Sequence, residues 1–124
     1  REVLLSLTPN FISFYNNRTA DNVIIINNNG TVKFNNNSAD SGSAVTNNNH
    51  NLELYDTSTA ESAIITNNAF MKFYGASTAG SATITNNASL NFHGTSTAGS
   101  AALVNNAGGT VGFSGSTCPS ATAS

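Results

Sequence analysis

Short apolar pairs separated by one other residue recur along this chain at intervals of 19–21 residues. A spacing of two places both apolar side chains on one face of a strand and the residue between them on the other face. The pairs are Ile12/Phe14, Val32/Phe34, Leu52/Leu54, Met71/Phe73, Leu90/Phe92 and Val111/Phe113. The pattern predicts one short strand in every repeat, with its apolar pair facing inwards.

A second pattern of period two alternates with the first and runs into a pair of asparagines. Its inward candidates are Val23/Ile25, Ser43/Val45, Ala63/Ile65, Ala82/Ile84 and Ala101/Leu103. Segments rich in Gly, Ser, Thr and Ala separate the two patterns and are typical of sharp corners. Helical spacing does not extend over a useful length, and the Asn, Gly and β-branched content disfavours helix. The chain is therefore predicted to be all-β.

A fixed period near 20 residues is typical of stacked repeats, because a unit of this size cannot bury its own apolar face. We expect each repeat to form one coil, with equivalent residues about 4.8 Å apart in successive coils. Connections between parallel strands are right-handed in nearly all cases. The prediction is a parallel right-handed β-solenoid of about six coils, with 19–21 residues per coil, in one domain of residues 1–124. Two-sided and three-sided cross-sections are both compatible with the sequence.

Stacking predicts columns of equivalent residues. One inward column comprises Phe34, Leu54, Phe73, Phe92 and Phe113, and a second comprises Ile25, Val45, Ile65, Ile84 and Leu103. Two asparagine ladders are expected, one of Asn27, Asn47, Asn67, Asn86 and Asn105 and the other of Asn28, Asn48, Asn68, Asn87 and Asn106. An amide carries both a donor and an acceptor, so a stacked amide can donate to one neighbouring coil and accept from the other.

The predicted outward columns are also compatible with stacking. The residues inside the apolar pairs are Ser13, Lys33, Glu53, Lys72, Asn91 and Gly112. The order Lys, Glu, Lys places opposite charges in adjacent coils, which favours an in-register stack. The neighbouring outward column is Tyr15, Asn35, Tyr55, Tyr74, His93 and Ser114, in which rings can lie over one another.

Composition narrows the function classes. Only 8% of the residues are charged, and 21 asparagines take over the polar role. The net charge of −2 gives no electrostatic reason to expect nucleic acid or an anionic membrane as partner. No apolar run approaches the roughly 18 residues of a membrane span. The single cysteine, Cys118, excludes an internal disulfide; we interpret it as a small corner side chain, with a cross-link between subunits as the alternative.

The two ends of the sequence carry no closing element. The chain begins at Arg1, without an initiating Met or a signal peptide, and finishes shortly after Cys118. We interpret it as a processed piece of a longer chain. Uncapped ends of a parallel stack are templates for pairing with another copy.

The segment Ser77–Asn87, STAGSATITNN, returns as STAGSAALVNN in Ser96–Asn106. These segments resemble the repeats of bacterial "beta strand repeat" surface proteins, which include autotransporter passengers and are comparable to filamentous haemagglutinin-like adhesins. The resemblance covers almost the whole chain and is sharpest from Thr57 to Phe113. It implies a secreted β-helical stalk or fibre displayed at a cell surface.

The sequence predicts no catalytic, cofactor-binding or metal site. Asp21 and Glu61 are expected at equivalent corners two coils apart, a separation that could serve glycoside hydrolysis. The favoured interpretation is two solvated corner carboxylates, because no denser acidic cluster accompanies them. His50 and His93 fall in different parts of the repeat, and neither has a set of neighbouring metal ligands.

Threonine-rich rows form another candidate surface. Thr57–Thr59, Ala76–Thr78 and Thr95–Thr97 would stack into short rows of hydroxyl and methyl groups. Flat threonine arrays on β-solenoids bind ice in several proteins, but Ala76, Arg18 and Ala39 interrupt this one. Hydrogen bonding along the stack is the favoured interpretation.

The leading functional hypothesis is a structural extracellular β-solenoid that forms or contributes to a surface filament by coil stacking, including stacking of copies end to end. This hypothesis makes the protein a self-associating one, located outside the cell, that is not an enzyme and uses no cofactor. It includes no nucleic-acid partner and no membrane insertion. The main alternative is an adhesin passenger stalk that binds a glycan or host surface. An ice-binding protein and a polysaccharide-active β-helix enzyme are the remaining alternatives.

Overall fold

The strands of this protein follow the 20-residue period of the sequence. The computed structural model describes residues 3–7, 11–17, 23–39, 45–114 and 122–123. The strands are β1 Val3–Leu7, β2 Phe11–Phe14, β3 Val23–Asn27, β4 Thr31–Phe34, β5 Val45–Asn48, β6 Asn51–Leu54, β7 Ile64–Asn67, β8 Phe70–Phe73, β9 Thr83–Asn86, β10 Ser89–Phe92, β11 Ala102–Asn105, β12 Thr110–Phe113 and β13 Thr122–Ala123. The described residues contain no helix.

Successive strands alternate between two sheets. The seven-stranded sheet has the order β1-β3-β5-β7-β9-β11-β13, and the six-stranded sheet has the order β2-β4-β6-β8-β10-β12. Every pairing is parallel, and each strand pairs with the strand two places further along the chain. One coil therefore contains one strand of each sheet. The predicted all-β parallel β-solenoid is confirmed, with about five full turns between β1 and β11.

A narrow third side completes the coils described between Ala39 and Thr97. Parallel bridges of single residues link Ala39 to Thr59, Thr59 to Thr78 and Thr78 to Thr97. The third side is narrow because only one residue per coil forms such a bridge, between two sharp corners. The cross-section thus has two broad sides formed by the sheets and one short side.

Columns of equivalent residues fill the interior. Strand register places Phe34, Leu54, Phe73, Phe92 and Phe113 in one column. The rings of Phe73 and Phe92 are stacked with their centroids 4.6 Å apart, close to the spacing of the coils themselves. Leu54 interrupts the rings, so Phe14 and Phe34 form a separate stack at 4.7 Å. Small side chains line the corners beside the third side, and all are buried: Ala60, Ala63, Ala79, Ala82, Ala98 and Ala101.

The register of β5 differs from the sequence-based prediction by one residue. Thr46, not Val45, pairs with Ile25 on one side and Ile65 on the other. The side chain of Thr46 is fully buried, so it occupies the inward position that Val45 was expected to fill. Val45 pairs instead with Ile24 and Ile64. A slip of one residue reverses the face of every side chain in a strand, so Asn47 also moves outwards.

The sharp corners are formed by residues with left-handed backbone. After the strands of the six-stranded sheet these residues are Asn16, Asn36, Asp56, Gly75 and Gly94, with φ between 56° and 63°. Before the strands of the seven-stranded sheet they are Glu61, Gly80 and Gly99, with φ of 45°, 62° and 59°. Glycine and asparagine adopt this conformation most readily, which explains the residues found at the first set of corners.

Gly99 and Gly108 form a matched pair for testing the corner geometry. A Cβ atom at Gly99 would lie 2.8 Å from the carbonyl oxygen of Gly80, whereas one at Gly108 would meet nothing within 4 Å. Both have positive φ, 59° and 88°. We expect Gly99→Ala to lower the free energy of unfolding by about 2–4 kcal/mol, from backbone strain plus crowding. Gly108→Ala should cost about 1–2 kcal/mol from backbone strain alone. Urea unfolding of the two variants measures the difference, and equal costs would contradict the close approach of the coils at Gly99.

Candidate functional site

A buried ladder of asparagine amides runs along the stack. The Nδ2 of each amide donates to the Oδ1 of the next one towards the C-terminus, through Asn27, Asn48, Asn67, Asn86 and Asn105, at 2.8–2.9 Å. The first four side chains are fully buried. Each of these four amides also donates to a backbone carbonyl in the coil above, as Asn67 does to Ser89 at 2.8 Å. The ladder therefore ties successive coils together and satisfies its own buried polar groups.

A second ladder lies beside the first on the surface. It contains Asn28, Asn49, Asn68, Asn87 and Asn106, with Nδ2–Oδ1 distances of 2.6–3.2 Å. Here each amide donates towards the N-terminus, opposite to the buried ladder. The two neighbouring columns of amide dipoles are thus antiparallel, which is the favourable arrangement for adjacent dipoles.

The composition of both ladders corrects the prediction at one coil. Asn48 occupies the place in the buried ladder that was assigned to Asn47, and Asn49 occupies the place in the exposed ladder that was assigned to Asn48. Asn47 pairs with Ile26 and Thr66 on the outward-facing positions. The cause is the one-residue slip of β5, which places Asn48 21 positions after Asn27 and 19 positions before Asn67.

The buried ladder is closed at both ends within the described stack. At the lower end, the Oδ1 of Asn27 accepts a hydrogen bond from the backbone N–H of Gly30, three residues away, at 3.0 Å. At the upper end, Asn105 donates to the carbonyl of Gly109, only four residues away, at 3.0 Å. A Cβ atom at Gly109 would lie 2.5 Å from the Oδ1 of Asn105, so this closure requires glycine. The corner at Gly108 and Gly109 lies in the 21-residue step from Phe92 to Phe113, and its Gly109 carbonyl is the acceptor that closes the ladder.

Aromatic rings form a column on the outer face of the six-stranded sheet. Tyr55 and Tyr74 are stacked at 4.8 Å, and Tyr74 and His93 at 4.9 Å. The Nδ1 of His93 lies 2.6 Å from the hydroxyl oxygen of Ser114 in the next coil. Tyr55 covers one face of the Tyr74 ring and His93 covers the other, so Tyr74 presents only its edge to solvent.

Glu53 anchors a polar cluster next to these rings. Its carboxylate accepts hydrogen bonds from the Tyr55 hydroxyl and the Asn51 amide, both at 2.8 Å. Lys33 forms an ion pair with it at 4.0 Å. Glu53 is only 8% exposed although it lies on the outer face, because these neighbours cover it. Lys72, the next residue of the column, lies over the ring of Phe70, 5.5 Å from its centroid.

Glu53 is predicted from the sequence only as a charge between coils, and the cluster around it was not predicted. The signal was the alternation Asn51-x-Glu53-x-Tyr55, since residues two apart in a strand share a face.

The cluster also affects ionisation of the tyrosine rings. Burial, followed by the hydrogen bond to Glu53, raises the pKa of the Tyr55 phenol well above its ordinary range. Burial and the nearby Glu53 charge also raise the pKa of Tyr74.

The outer face of the seven-stranded sheet has a different character. Its described outward positions are Ile24, Ile26, Asn47, Ile64, Thr66, Thr83, Thr85, Ala102 and Val104. None of these is charged, and Ile64 and Val104 are 52% and 42% exposed. The described charged side chains therefore lie on the six-stranded sheet and at the corners.

The threonines of the third side are engaged in the corners. The hydroxyl of Thr59 accepts from the backbone N–H of Glu61 at 2.9 Å, and that of Thr78 accepts from Gly80 at 3.0 Å. Thr97 donates to the hydroxyl of Thr78 at 3.1 Å. These bonds run within and between coils, as the favoured interpretation of the threonine rows expected.

The candidate residues for chemistry are dispersed. Glu61 lies at a corner, while Asp21 and Cys118 fall outside the described residues. The Nδ1 of His50, in the turn between β5 and β6, lies 2.8 Å from the carbonyl oxygen of Gly30. His93 follows β10 and belongs to the ring column. Within the described ranges, no group of three or more His, Cys, Asp and Glu side chains could hold a metal ion.

Comparison with known proteins gave no match to this chain, whether against protein-family models, curated proteins or solved structures. A search of the described residues for a helix long and apolar enough to cross a membrane also found none. The fold and the ladders thus define a class, the β-solenoids with stacked asparagines, and functional inference must come from the surfaces of the stack itself.

Asn67 and Asn68 are adjacent residues that separate the two ladders experimentally. Asn67→Ala removes one of the two ladder bonds of Asn48, on its Nδ2, and one of those of Asn86, on its Oδ1, so we expect a loss of roughly 2–4 kcal/mol in the free energy of unfolding. Asn68→Ala removes exposed bonds that water can replace and should cost about 0.5–1 kcal/mol. Urea denaturation checks both values. Similar costs for the two variants would show that the buried ladder has no special role in stability.

The raised pKa of Tyr55 predicts a stability that depends on alkaline pH. The phenol ionises near pH 10 in the unfolded chain but only at higher pH in the folded one. The folded state therefore binds more protons above about pH 10, and the free energy of unfolding should fall as pH rises further. Tyr55→Phe should flatten this decline more than Tyr74→Phe does. Urea unfolding at a series of pH values is the measurement, and an unchanged slope in Tyr55→Phe would contradict the raised pKa that burial and Glu53 give this phenol.

Proposed function

We propose that this protein is a structural, non-enzymatic β-solenoid that forms or contributes to an extracellular surface fibre by stacking of coils, including stacking between copies. The observation that carries the proposal is the uninterrupted parallel register of both sheets along the stack. Successive strands of each sheet run in the same direction and in a single order, so the coils repeat along one axis. Terminal strands of a parallel sheet offer unpaired backbone groups to a further strand.

The surface also favours a scaffold over a catalyst. The described carboxylates Glu53, Asp56 and Glu61 lie on one sheet face and at two different corners of the coil, and Glu53 is occupied by three neighbours. Low charge and many Asn, Ser and Thr side chains suit a surface that meets water on all sides. The resemblance to bacterial surface repeats supports an extracellular location, and the same features support self-association over binding of nucleic acid or insertion into a membrane.

An adhesin stalk is the second candidate, and Phe70 is the residue that favours it. Phe70 is 51% exposed on the outer face of the six-stranded sheet, and its column neighbours are Asn51 and Ser89. Unlike Tyr74, it is not sandwiched between rings. An exposed aromatic ring beside polar groups is a common contact for sugars. Binding to a glycan array that is lost in Phe70→Ala, with an unchanged circular dichroism spectrum, would favour this second function.

Filament formation by the purified chain tests the main proposal. We expect unbranched filaments in negative-stain electron microscopy, with a fibre-diffraction reflection near 4.8 Å parallel to the filament axis, because coils stack at the strand spacing. Sedimentation velocity over a range of concentrations should show growing species. A single monomeric species at all concentrations would contradict the proposal, and a 4.8 Å reflection perpendicular to the axis would contradict stacking along it.

A further inference from the structure

The inward side chains of the first and last strands of the six-stranded sheet are incompletely covered. Phe113 is 47% exposed, whereas Phe92 and Phe73, directly below it in the column, are 2% and 0% exposed. Ile12 and Phe14 at the other end of the sheet, and Val111 beside Phe113, are only partly buried against the core. Each end of the sheet therefore presents one aliphatic residue and one phenylalanine that a further coil would cover.

The two ends are complementary because they belong to the same columns. Strand register connects Ile12 to Val111 through one column and Phe14 to Phe113 through the next. Placing Ile12 of a second copy over Val111 therefore also places its Phe14 over Phe113. The outward residues Ser13 in one strand and Thr110 and Gly112 in the other carry no charge that would oppose the contact, and Phe11, which would pair with Thr110, is an uncharged residue as well.

We propose that β12 of one copy pairs in parallel with β2 of a second copy, in the register Val111 over Ile12 and Phe113 over Phe14, and that β13 competes with this contact. The inference rests on the proposed function, since it specifies how copies would join. A parallel ladder joins unlike ends, so the contact is head-to-tail and does not close on itself. It needs no continuous asparagine ladder, because Asn105 is already closed by Gly109.

The competition follows from the number of strands. The seven-stranded sheet has one more strand than the six-stranded sheet, because β13 pairs with β11 above the level of β12. When β2 of a second copy pairs with β12, the β1 strand of that copy falls at the level of β13, and both need the same edge of β11. β13 pairs through two residues, Thr122 and Ala123, whereas β1 pairs with its own neighbour through five. The longer strand has more backbone bonds to offer, so β1 of the incoming copy displaces β13.

Disulfide trapping tests the register in a Cys118→Ser background. Thr110→Cys in one preparation and Phe11→Cys in another are mixed and oxidised; these positions are direct partners in the proposed contact. Within one copy they lie at opposite edges of a six-stranded sheet, about 24 Å apart, too far for a disulfide. The matched control mixes Thr110→Cys with Ser13→Cys, which is two residues out of register. Ser13→Cys with Gly112→Cys provides a second in-register pair if Phe11→Cys does not fold.

Proline substitutions test the competition. The double variant Thr122→Pro/Ala123→Pro removes both N–H groups of β13 and should release it from β11. We expect the in-register disulfide to form several-fold faster in this variant than in the Ser120→Pro control, which leaves both groups in place. Equal rates in the two would overturn the role assigned to β13.

The same samples distinguish failure of this inference from failure of the proposed function. Filaments with no preference for the in-register disulfide would overturn the β12–β2 contact but leave the fibre in place. Absence of both filaments and disulfide, in all variants, would overturn the contact and the fibre together. Preferential disulfide formation in the in-register pairs, faster when β13 is released, is the expected result.

Discussion

The structure depends on one constraint, the vertical repetition of side chains at the spacing of parallel strands. The paired strand residues of the described coils lie about 4.8 Å from their equivalents above and below, so each column must tolerate its own members as neighbours. Buried asparagine meets this condition because its amide donates on one side and accepts on the other. Stacked phenylalanines meet it through their ring faces, whereas like charges do not. The low charge of the chain agrees with this rule, and the two ladders contain ten of its 21 asparagines.

The columns of the six-stranded sheet could be predicted because their apolar pairs allow only one register. A slip would bury residues such as Lys33 or Lys72 and expose the phenylalanines. The seven-stranded sheet is less constrained at β5, where Asn47, Asn48 and Asn49 follow one another. Any of these amides can enter the ladder. The prediction aligned Asn47 with Asn67 because the residues around them are similar, and this alignment was wrong. The observed register gives β5 the same two-residue turn, Asn49–His50, that follows β7 and β9.

Other features need the folded chain. The third side depends on single residues such as Thr78, whose bridges have no pattern of alternating hydrophobicity. The coverage of Glu53 depends on side chains from its own coil and from the coil below, so its burial is not visible in any single repeat. The incomplete coverage of Phe113 and the seventh strand of the larger sheet likewise become visible only when the strands are assigned to their sheets. These features of the described stack support the contact that we propose between copies.

The alignment of the amide ladders with the stack axis has a mechanical consequence. A pulling force along that axis loads the backbone and amide bonds between coils along their own length. The coil at the end of the stack has neighbours on one side only, so it detaches first and each further coil follows in turn. Every detached coil releases about 19–21 residues of slack chain. A fibre made of such coils would lengthen in equal steps under tension and absorb work gradually instead of breaking at once.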